Sequence, residues 1–277
     1  MKACYDHRWL LAIGLVVVAS VPGARGDDPP SDRQKRLDRQ IQDSFQWYQM
    51  LSGPGSTNRL KSEPVLKWVN DPRGQEGEAT LLLWTAGGRP EALTSVYGWR
   101  GHLAHEVVSL AREEGLVVRD GDRTLWSFGK PGVSFREIPG APAPAETPAA
   151  RLKQIRTLAG RFQATMTGWK AGDGDREVLR MLPKPIHRYD LEAEKPAAPD
   201  LIDGAVFAFV QGTDPEAVLM IEAVRRDGKP AWQYAFGRST YASLEAKLDG
   251  SVVWNAPKLG GQNDPRYPMF GMSRPQE

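Results

Sequence analysis

Cysteine is nearly absent from this sequence: Cys4 is the only one among 277 residues. It precedes the first apolar run, whereas the lipid-acceptor cysteine of a lipoprotein follows such a run. A chain without further cysteine has no disulfide, no thiol nucleophile and no thiolate metal site. Those three kinds of chemistry are therefore excluded for everything after residue 4.

Long apolar runs are also scarce. The one candidate spans Trp9 to Val21, about 13 residues, which is shorter than the ~20 that cross a bilayer as a helix. Basic residues precede this run, and Ala24 and Gly26 follow it with the small side chains that a signal peptidase requires. We expect residues 1–26 to be a cleaved signal peptide rather than an anchor helix. The mature protein is then periplasmic or secreted, with no integral membrane segment.

The chain has little net charge. Lys and Arg number 36 against 34 Asp and Glu, which gives +2. Residues 1–26 hold three basic residues and one acidic residue, so their removal leaves the protein close to neutral. A neutral protein has no overall field to hold a phosphate backbone, and we expect no nucleic-acid partner.

Sequence motifs for catalysis and cofactor binding are missing. There is no Gly-x-Ser-x-Gly elbow and no phosphate loop, and Gly87-Gly88 precedes Pro90 instead of opening a helix. We therefore predict no cofactor, and the sequence designates no catalytic residue.

Two kinds of metal-ligand candidate are present but weak. His102 and His105 would share a face on a helix, but we predict a strand here, where they point to opposite faces and form a polar strand edge. The stretches 120–122 and 172–175 resemble fragments of calcium loops, yet neither continues with ligands at alternate positions. We interpret both as hairpin turns and predict no metal site.

Two similar segments organise the chain. Asp203–Ala223 reads as two apolar strands joined by a turn, and Glu78–Gly98 aligns with it without a gap. Other segments align in the same order, and a helical pattern precedes each set. One helix is predicted from Leu37, Ile41, Phe45, Tyr48 and Leu51, and the other from Leu152, Ile155, Ala159, Phe162 and Met166. We expect an internal duplication and an α+β fold of two repeated units, each one helix packed on a curved antiparallel sheet.

The expected domain boundaries follow from this pattern. The first repeat covers residues 27–138, and residues 139–150 form a Pro/Ala-rich linker, because proline removes backbone donors and keeps the chain extended. The second repeat covers residues 151–256. The tail, residues 257–277, is rich in Gly, Pro and Asn and is predicted to be irregular.

The hairpin of the second repeat is apolar on both faces. With a turn centred on Thr213-Asp214, Phe207 and Met220 are expected to be opposite each other, and Glu222 faces Tyr234 on the next strand. Since neither hairpin face is polar, one face needs a helix and the other needs a second sheet or a cavity.

Several single residues are ambiguous. Glu222 lies within an apolar strand, where a carboxylate is either catalytic or, more commonly, bonded to a neighbouring Tyr or Arg. Glu106 is the other carboxylate with a catalytic interpretation. His187 is expected to pack. The tryptophans could stack on sugar rings, but core positions are favoured for Trp84, Trp126 and Trp254.

Four segments together resemble a family of secreted proteins of planctomycete-type bacteria. They read RLKQIRTLAGRF, LRMLPKPIHRY, DGAVFAFVQGTDPEAVLMIEA and the Trp-x-Tyr strand at residue 232. The likeness covers roughly residues 32–255. It implies export and a shared fold, and it brings no activity or catalytic residues.

The function that we predict from the sequence is an exported, non-enzymatic module that binds an unidentified ligand or protein partner. Its binding surface would be a groove between helix and sheet, or the contact between the two repeats. The alternative is an extracytoplasmic hydrolase or carbohydrate-active enzyme that uses paired carboxylates, with Glu106 and Glu222 as candidates.

Overall fold

The computed structural model of the protein describes residues 32–53, 56–69, 74–168, 175–191, 200–260 and 269–276. The expected signal peptide and most of the 172–175 turn lie outside these ranges. The described part contains two helices, α1 (Asp32–Ser44) and α2 (Pro148–Ala159). Neither of them is long and apolar enough to cross a membrane.

Strands make up most of the described chain. In chain order they are β1 (Gln49–Ser52), β2 (Lys61–Trp68), β3 (Gln75–Ala86), β4 (Arg89–Trp99), β5 (His102–Ser109), β6 (Leu116–Asp120), β7 (Arg123–Ser127), β8 (Arg136–Glu137), β9 (Phe162–Thr167), β10 (Arg176–Met181), β11 (His187–Arg188), β12 (Leu201–Gln211), β13 (Asp214–Arg226), β14 (Lys229–Arg238), β15 (Ser243–Leu248), β16 (Ser251–Ala256) and β17 (Met269–Pro275).

These strands form three antiparallel sheets. The nine-stranded sheet has the order β16-β15-β9-β10-β12-β13-β14-β8, with β11 also paired to β12. The five-stranded sheet has the order β17-β5-β4-β3-β2, and the three-stranded sheet has the order β1-β6-β7. Consecutive long strands are therefore mostly neighbours in space, as short links require.

The predicted α+β fold of two helix-on-sheet repeats is wrong. The protein is mostly β, with sheets that include a half-barrel and with only two helices in its described part. Both helices end earlier than predicted, α1 at Ser44 and α2 at Ala159. Phe162 and Met166 continue the helical pattern because they are four residues apart, but that spacing also puts two side chains on one face of a strand. Burial alternates from residue to residue along β9, which is the two-residue period of a strand and not the 3.6-residue period of a helix.

The predicted irregular tail is also corrected by the structure. Residues 269–275 form β17, which pairs along its whole length with β5, so that Met272 lies opposite His105. This pairing satisfies the backbone groups of β5 that an edge strand would expose. The Pro/Ala-rich stretch has no strand or helix from residue 139 to residue 147. Its last residue, Thr147, caps α2 by accepting a hydrogen bond from the Ala150 amide.

The two larger sheets pack face to face. Leu81, Leu83 and Leu93 of the five-stranded sheet share one buried cluster with Val206, Val218 and Met220 of the nine-stranded sheet. We call this contact between the two sheets the seam. The opposite face of the nine-stranded sheet packs against α2, where Phe207 and Leu219 contact the cluster around Ile155.

Burial of both hairpin faces, which the apolar pattern predicted, is confirmed: Phe207 is 1% exposed and Val206 is 0% exposed. The predicted register is wrong by one residue, since Phe207 lies opposite Leu219 instead of Met220. A bulge beside Phe209 shifts the pairing. A shift of one residue exchanges the two faces of a strand, so Met220 belongs to the seam.

Candidate functional site

A buried ion pair joins the two sheets across the seam. Arg89, the first residue of β4, donates from Nε to Oε1 of Glu222 in β13 at 2.8 Å. The Arg89 side chain is 3% exposed and that of Glu222 is 0% exposed. Because each charge lies in an interior of low dielectric constant, each needs the other there.

Neutral donors complete the environment of Glu222. Tyr189 donates its hydroxyl to Oε1 at 3.1 Å, and Gln233 donates from Nε2 to Oε2 at 2.7 Å. The prediction that Glu222 bonds a Tyr or Arg is confirmed, but Tyr234 is not the partner. The residue opposite Glu222 on β14 is Gln233.

Two glycines allow this arrangement. A side chain at Gly204 would put its Cβ 2.4 Å from the Tyr189 ring, so the absence of a side chain there makes room for the ring whose hydroxyl reaches Glu222. Gly88 lies in the turn before Arg89 at φ +75°, and a Cβ there would lie 2.1 Å from the Asp190 carbonyl oxygen. Both glycines are therefore required by close approach of the segment that carries Tyr189.

Arg89 keeps one donor unused. Its Nη1 donates to Oε1 of Glu91 at 3.1 Å, while its buried Nη2 has no hydrogen-bond partner. Arg89 and Glu91 line a cavity of about 960 Å³ at the β3–β4 turn. A buried guanidinium nitrogen with an unmet hydrogen bond beside a cavity of this size is a binding feature for an acceptor.

The lining of this cavity is net positive. It includes four basic residues, Arg59, Lys61, Arg89 and Arg112, and three acidic residues, Glu91, Glu113 and Glu114. Burial raises the pKa of Glu91 to about 7, against the opposing effect of the Arg89 guanidinium. The positive excess therefore grows when Glu91 takes up a proton.

An aromatic ring holds two of the cations in place. The guanidinium of Arg89 lies 5.0 Å from the centroid of the Phe135 ring, and that of Arg112 lies 5.1 Å from it. Cation–π contacts at these distances orient a guanidinium without using its N–H donors. The contact with Phe135 therefore does not occupy the N–H donors of Arg112.

The two carboxylates proposed as a catalytic pair belong to different clusters. Glu106, on β5, accepts a hydrogen bond from the Tyr97 hydroxyl at 2.7 Å, whereas Glu222 bonds Arg89, Tyr189 and Gln233. No hydrogen bond described in the structure joins them.

His102 and His105 lie on a strand, as predicted, and point to opposite faces. His102 is exposed, and His105 is 0% exposed. The predicted polar strand edge is wrong, because β5 pairs with β4 on one side and with β17 on the other. Among the described residues, no group of three or more His, Cys, Asp or Glu could hold a metal ion.

His105 belongs to a buried hydrogen-bond network. Its Nδ1 lies 3.0 Å from the Tyr48 hydroxyl, and its Nε2 lies 2.9 Å from Oγ of Ser44. Ser44 donates its own proton to the Ile41 carbonyl, so its Oγ accepts from Nε2–H. Burial lowers the pKa of His105 to about 3, and the ring is neutral.

The other residues singled out from the sequence have structural roles. Trp84 is 3% exposed and donates from Nε1 to Thr94, while Trp126 stacks on Phe270 and Trp254 on Phe236. The predicted core position is confirmed for Trp84, whereas Trp126 and Trp254 are half-buried and pack against core clusters. His187 contacts Glu63 at 2.9 Å beside the seam. Asp120 ends β6 and Asp122 lies in the turn before β7, as predicted.

Sequence reasoning missed Arg89, Glu91 and Arg112. One signal was available, because Arg89 follows a Gly-Gly turn and is a full charge at the start of a strand in which Glu91 is the only other charged residue. Its ion-pair partner is 133 residues away, beyond the reach of any local pattern.

Comparison of the chain with protein-family models, with curated proteins and with solved structures finds no match. The resemblance to a secreted planctomycete-type family stays a prediction. Function is therefore inferred from the geometry of the site.

Proposed function

We propose that the protein is an exported binding module that holds a small organic anion in the cavity beside Arg89. The ligand would carry a carboxylate or a phosphate, because both present oxygen acceptors to a guanidinium. The observation that carries this proposal is the buried Nη2 of Arg89, which has no hydrogen-bond partner and belongs to a residue that lines a cavity of about 960 Å³.

Glu222 supports the proposal by holding Arg89 in place. It accepts from Nε and not from Nη2, so the ion pair orients the guanidinium while one terminal N–H₂ group remains for a ligand. A rigidly held guanidinium loses little side-chain entropy when it binds, which favours affinity.

Lys61 and Arg112 add charge at the more accessible part of the cavity. Both are exposed lining residues, in contrast to Arg89. Exposed cations steer an anion toward a cleft, and a buried one then pairs with it in a medium of lower dielectric constant. The arrangement fits a ligand whose anionic group reaches Arg89.

The proposal is tested with the purified full chain. Citrate, succinate, inorganic phosphate and glucose 6-phosphate are each titrated by calorimetry, with thermal melting as a second readout, because a ligand that binds only the folded state raises the melting temperature. Saturable binding of carboxylates alone, or of phosphates alone, identifies the anionic group.

Variants locate the binding. Lys61→Gln and Arg112→Gln each remove one exposed charge and should weaken affinity about threefold to tenfold. Lys229→Gln is the matched control, since Lys229 is exposed and does not line this cavity. The proposal fails if none of the anions binds saturably, or if all three variants weaken binding equally.

A further inference from the structure

A second cavity lies at the other end of β4. It has a volume of about 390 Å³, and Trp99, the last residue of β4, is part of its lining. An extended strand of this length places Trp99 roughly 30 Å from Arg89. The two cavities share no lining residue.

The second cavity has the opposite charge. Its lining contains Glu106, Asp214 and Glu216, and it includes no Lys or Arg. When the two similar segments are aligned, Asp214 takes the position of Arg89 in the β12–β13 hairpin. Equivalent positions of two hairpins thus contribute an acid to one cavity and a base to the other, so the two sites select different ligands.

Two residues of the lining each carry a buried polar atom without a hydrogen-bond partner. Trp68 is 4% exposed, and its Nε1 has no hydrogen-bond partner. The buried Oε1 of Gln75 has no partner either. An indole N–H only donates and an amide oxygen only accepts, so one ligand that satisfies both must carry groups able to accept and to donate. Hydroxyl groups do both, whereas an ammonium group does not accept.

Aromatic side chains supply a surface for a ring. Trp99 is 43% exposed, and Tyr97 and Tyr241 line the same cavity. The Tyr97 hydroxyl donates to Oε1 of Glu106 at 2.7 Å, which fixes that carboxylate as a hydrogen-bond acceptor at the wall. Flat aromatic rings beside a fixed carboxylate suit a ring with one apolar face and hydroxyl groups at its rim.

We propose that the second cavity is a carbohydrate-binding site for a neutral mono- or disaccharide. Sugar hydroxyls accept from Nε1 of Trp68 and donate to Oε1 of Gln75 and to the carboxylates, and the sugar ring packs on Trp99. A cavity of about 390 Å³ falls within the usual range for small-ligand sites. This binding is independent of the anion site.

The test uses the purified full chain with glucose, galactose, mannose, N-acetylglucosamine and cellobiose, and with choline as a cationic probe. Calorimetry and saturation-transfer NMR measure binding. At least one sugar is expected to bind saturably, and Trp99→Ala should weaken it about tenfold, the size of one ring contact. Since Trp99 is exposed, this variant is expected to fold.

Trp68→Phe keeps an aromatic ring and removes the Nε1 donor, and it should weaken the sugar about fivefold. Trp232→Phe is the matched control, because Trp232 is also buried with an unpartnered Nε1 but lies in the core beside α2. It should leave sugar affinity unchanged, as should Lys61→Gln at the anion cavity.

Three results would overturn the proposal. The first is the absence of saturable binding by any of the sugars. The second is sugar binding that neither Trp99→Ala nor Trp68→Phe weakens. The third is binding of choline without binding of any sugar, which would assign the acidic cavity to organic cations.

Discussion

Arg89 Nε and Glu222 Oε1 lie 2.8 Å apart across the seam, although the two residues are 133 positions apart in the sequence. The pair links the first residue of β4 to the middle of β13, where the two sheets pack on each other. It therefore connects the stability of the seam with the orientation of the guanidinium that we assign to anion binding.

Removing one partner of this pair should destabilise the protein strongly. We expect Glu222→Gln to lower the free energy of unfolding by about 3 kcal/mol, the lower end for breaking a buried ion pair, because it removes the charged acceptor at Nε and leaves Arg89 with the carboxylate of Glu91. The double variant Arg89→Met/Glu222→Met should recover more than half of that loss. Urea denaturation followed by circular dichroism measures both effects.

The control for this prediction is Glu137→Gln. Glu137 pairs with Arg226 at 3.3 Å on the surface, where an ion pair contributes about 0–1 kcal/mol. Equal losses for Glu222→Gln and Glu137→Gln would show that the buried pair adds nothing beyond a surface contact.

Anion affinity should depend on the protonation of Glu91. Its carboxylate accepts from Arg89 Nη1, and burial raises its pKa to about 7. Below that pH, Glu91 is neutral and no longer competes for the guanidinium, so affinity should rise as the pH falls through about 7. Titrations with the same anion at several pH values measure this dependence.

Glu91→Gln should make the affinity nearly independent of pH in this range and hold it at the low-pH level. The free energy of unfolding should change with pH in the same direction as the affinity. Because the pKa of Glu91 is raised from 4.5 to about 7 in the folded protein, its contribution to stability is complete below pH 4.5 and is lost as the pH rises through about 7. If Glu91→Gln keeps the pH dependence of anion affinity seen in the unmodified chain, Glu91 is not the source of that dependence.

His105 should make the fold sensitive to acid. Its folded pKa is lowered to about 3 by burial, so its contribution to stability is complete above about pH 6.5 and is lost as the pH falls toward 3. The melting temperature of the protein should therefore drop over that interval. The drop should be smaller in His105→Phe than in the unmodified chain.

The same variant should cost about 1–3 kcal/mol at neutral pH, because Tyr48 and Ser44 lose a hydrogen-bond partner in the core. His102→Gln is the control, since His102 is exposed on the opposite face of β5. An acid transition that is identical in both variants would contradict the assignment to His105.

Two hairpin glycines should respond differently to alanine. Gly88 and Gly212 have positive φ angles of 75° and 59°, but a Cβ at Gly88 would lie 2.1 Å from the Asp190 carbonyl oxygen, whereas nothing lies within 4 Å at Gly212. We expect Gly212→Ala to cost about 1 kcal/mol from backbone strain alone. Gly88→Ala should cost about 1–3 kcal/mol more, from the overlap.

Denaturant unfolding of the two alanine variants gives the comparison directly. Since both substitutions carry a similar penalty from φ, the difference between them isolates the contact with Asp190. Equal losses would mean that the backbone of Asp190 moves away without cost.

The hairpin from Asp203 to Ala223 shows how far local sequence patterns reach. They predicted its two strands, its turn and the burial of both faces, because continuous apolar runs and turn residues are local features of a few positions. They missed the one-residue shift at the bulge beside Phe209, and hence which face Met220 occupies. Bulges depend on how a strand packs against its neighbours, which a local pattern does not contain.

The candidate sites show the same division. Glu222 is a charge within an apolar strand, a pattern that predicts a bond to a neighbouring tyrosine or arginine more often than a catalytic role. Which tyrosine and which arginine depended on contacts over 33 and 133 residues. Arg89 was overlooked, because a charge beside a turn is usually solvated, and only the opposing sheet makes it buried.

The sequence by itself excluded thiol chemistry after residue 4. It also determined that the apolar runs of the Asp203–Ala223 hairpin form strands and that both faces of this hairpin must be buried. Only the tertiary structure decided the length of the helices, the pairing of β17 with β5 and the positions of the two cavities. The physical reason is range: periodicity and turn chemistry act over a few residues, whereas a cavity, a buried ion pair and a strand partner are made by segments that meet only when the sheets pack.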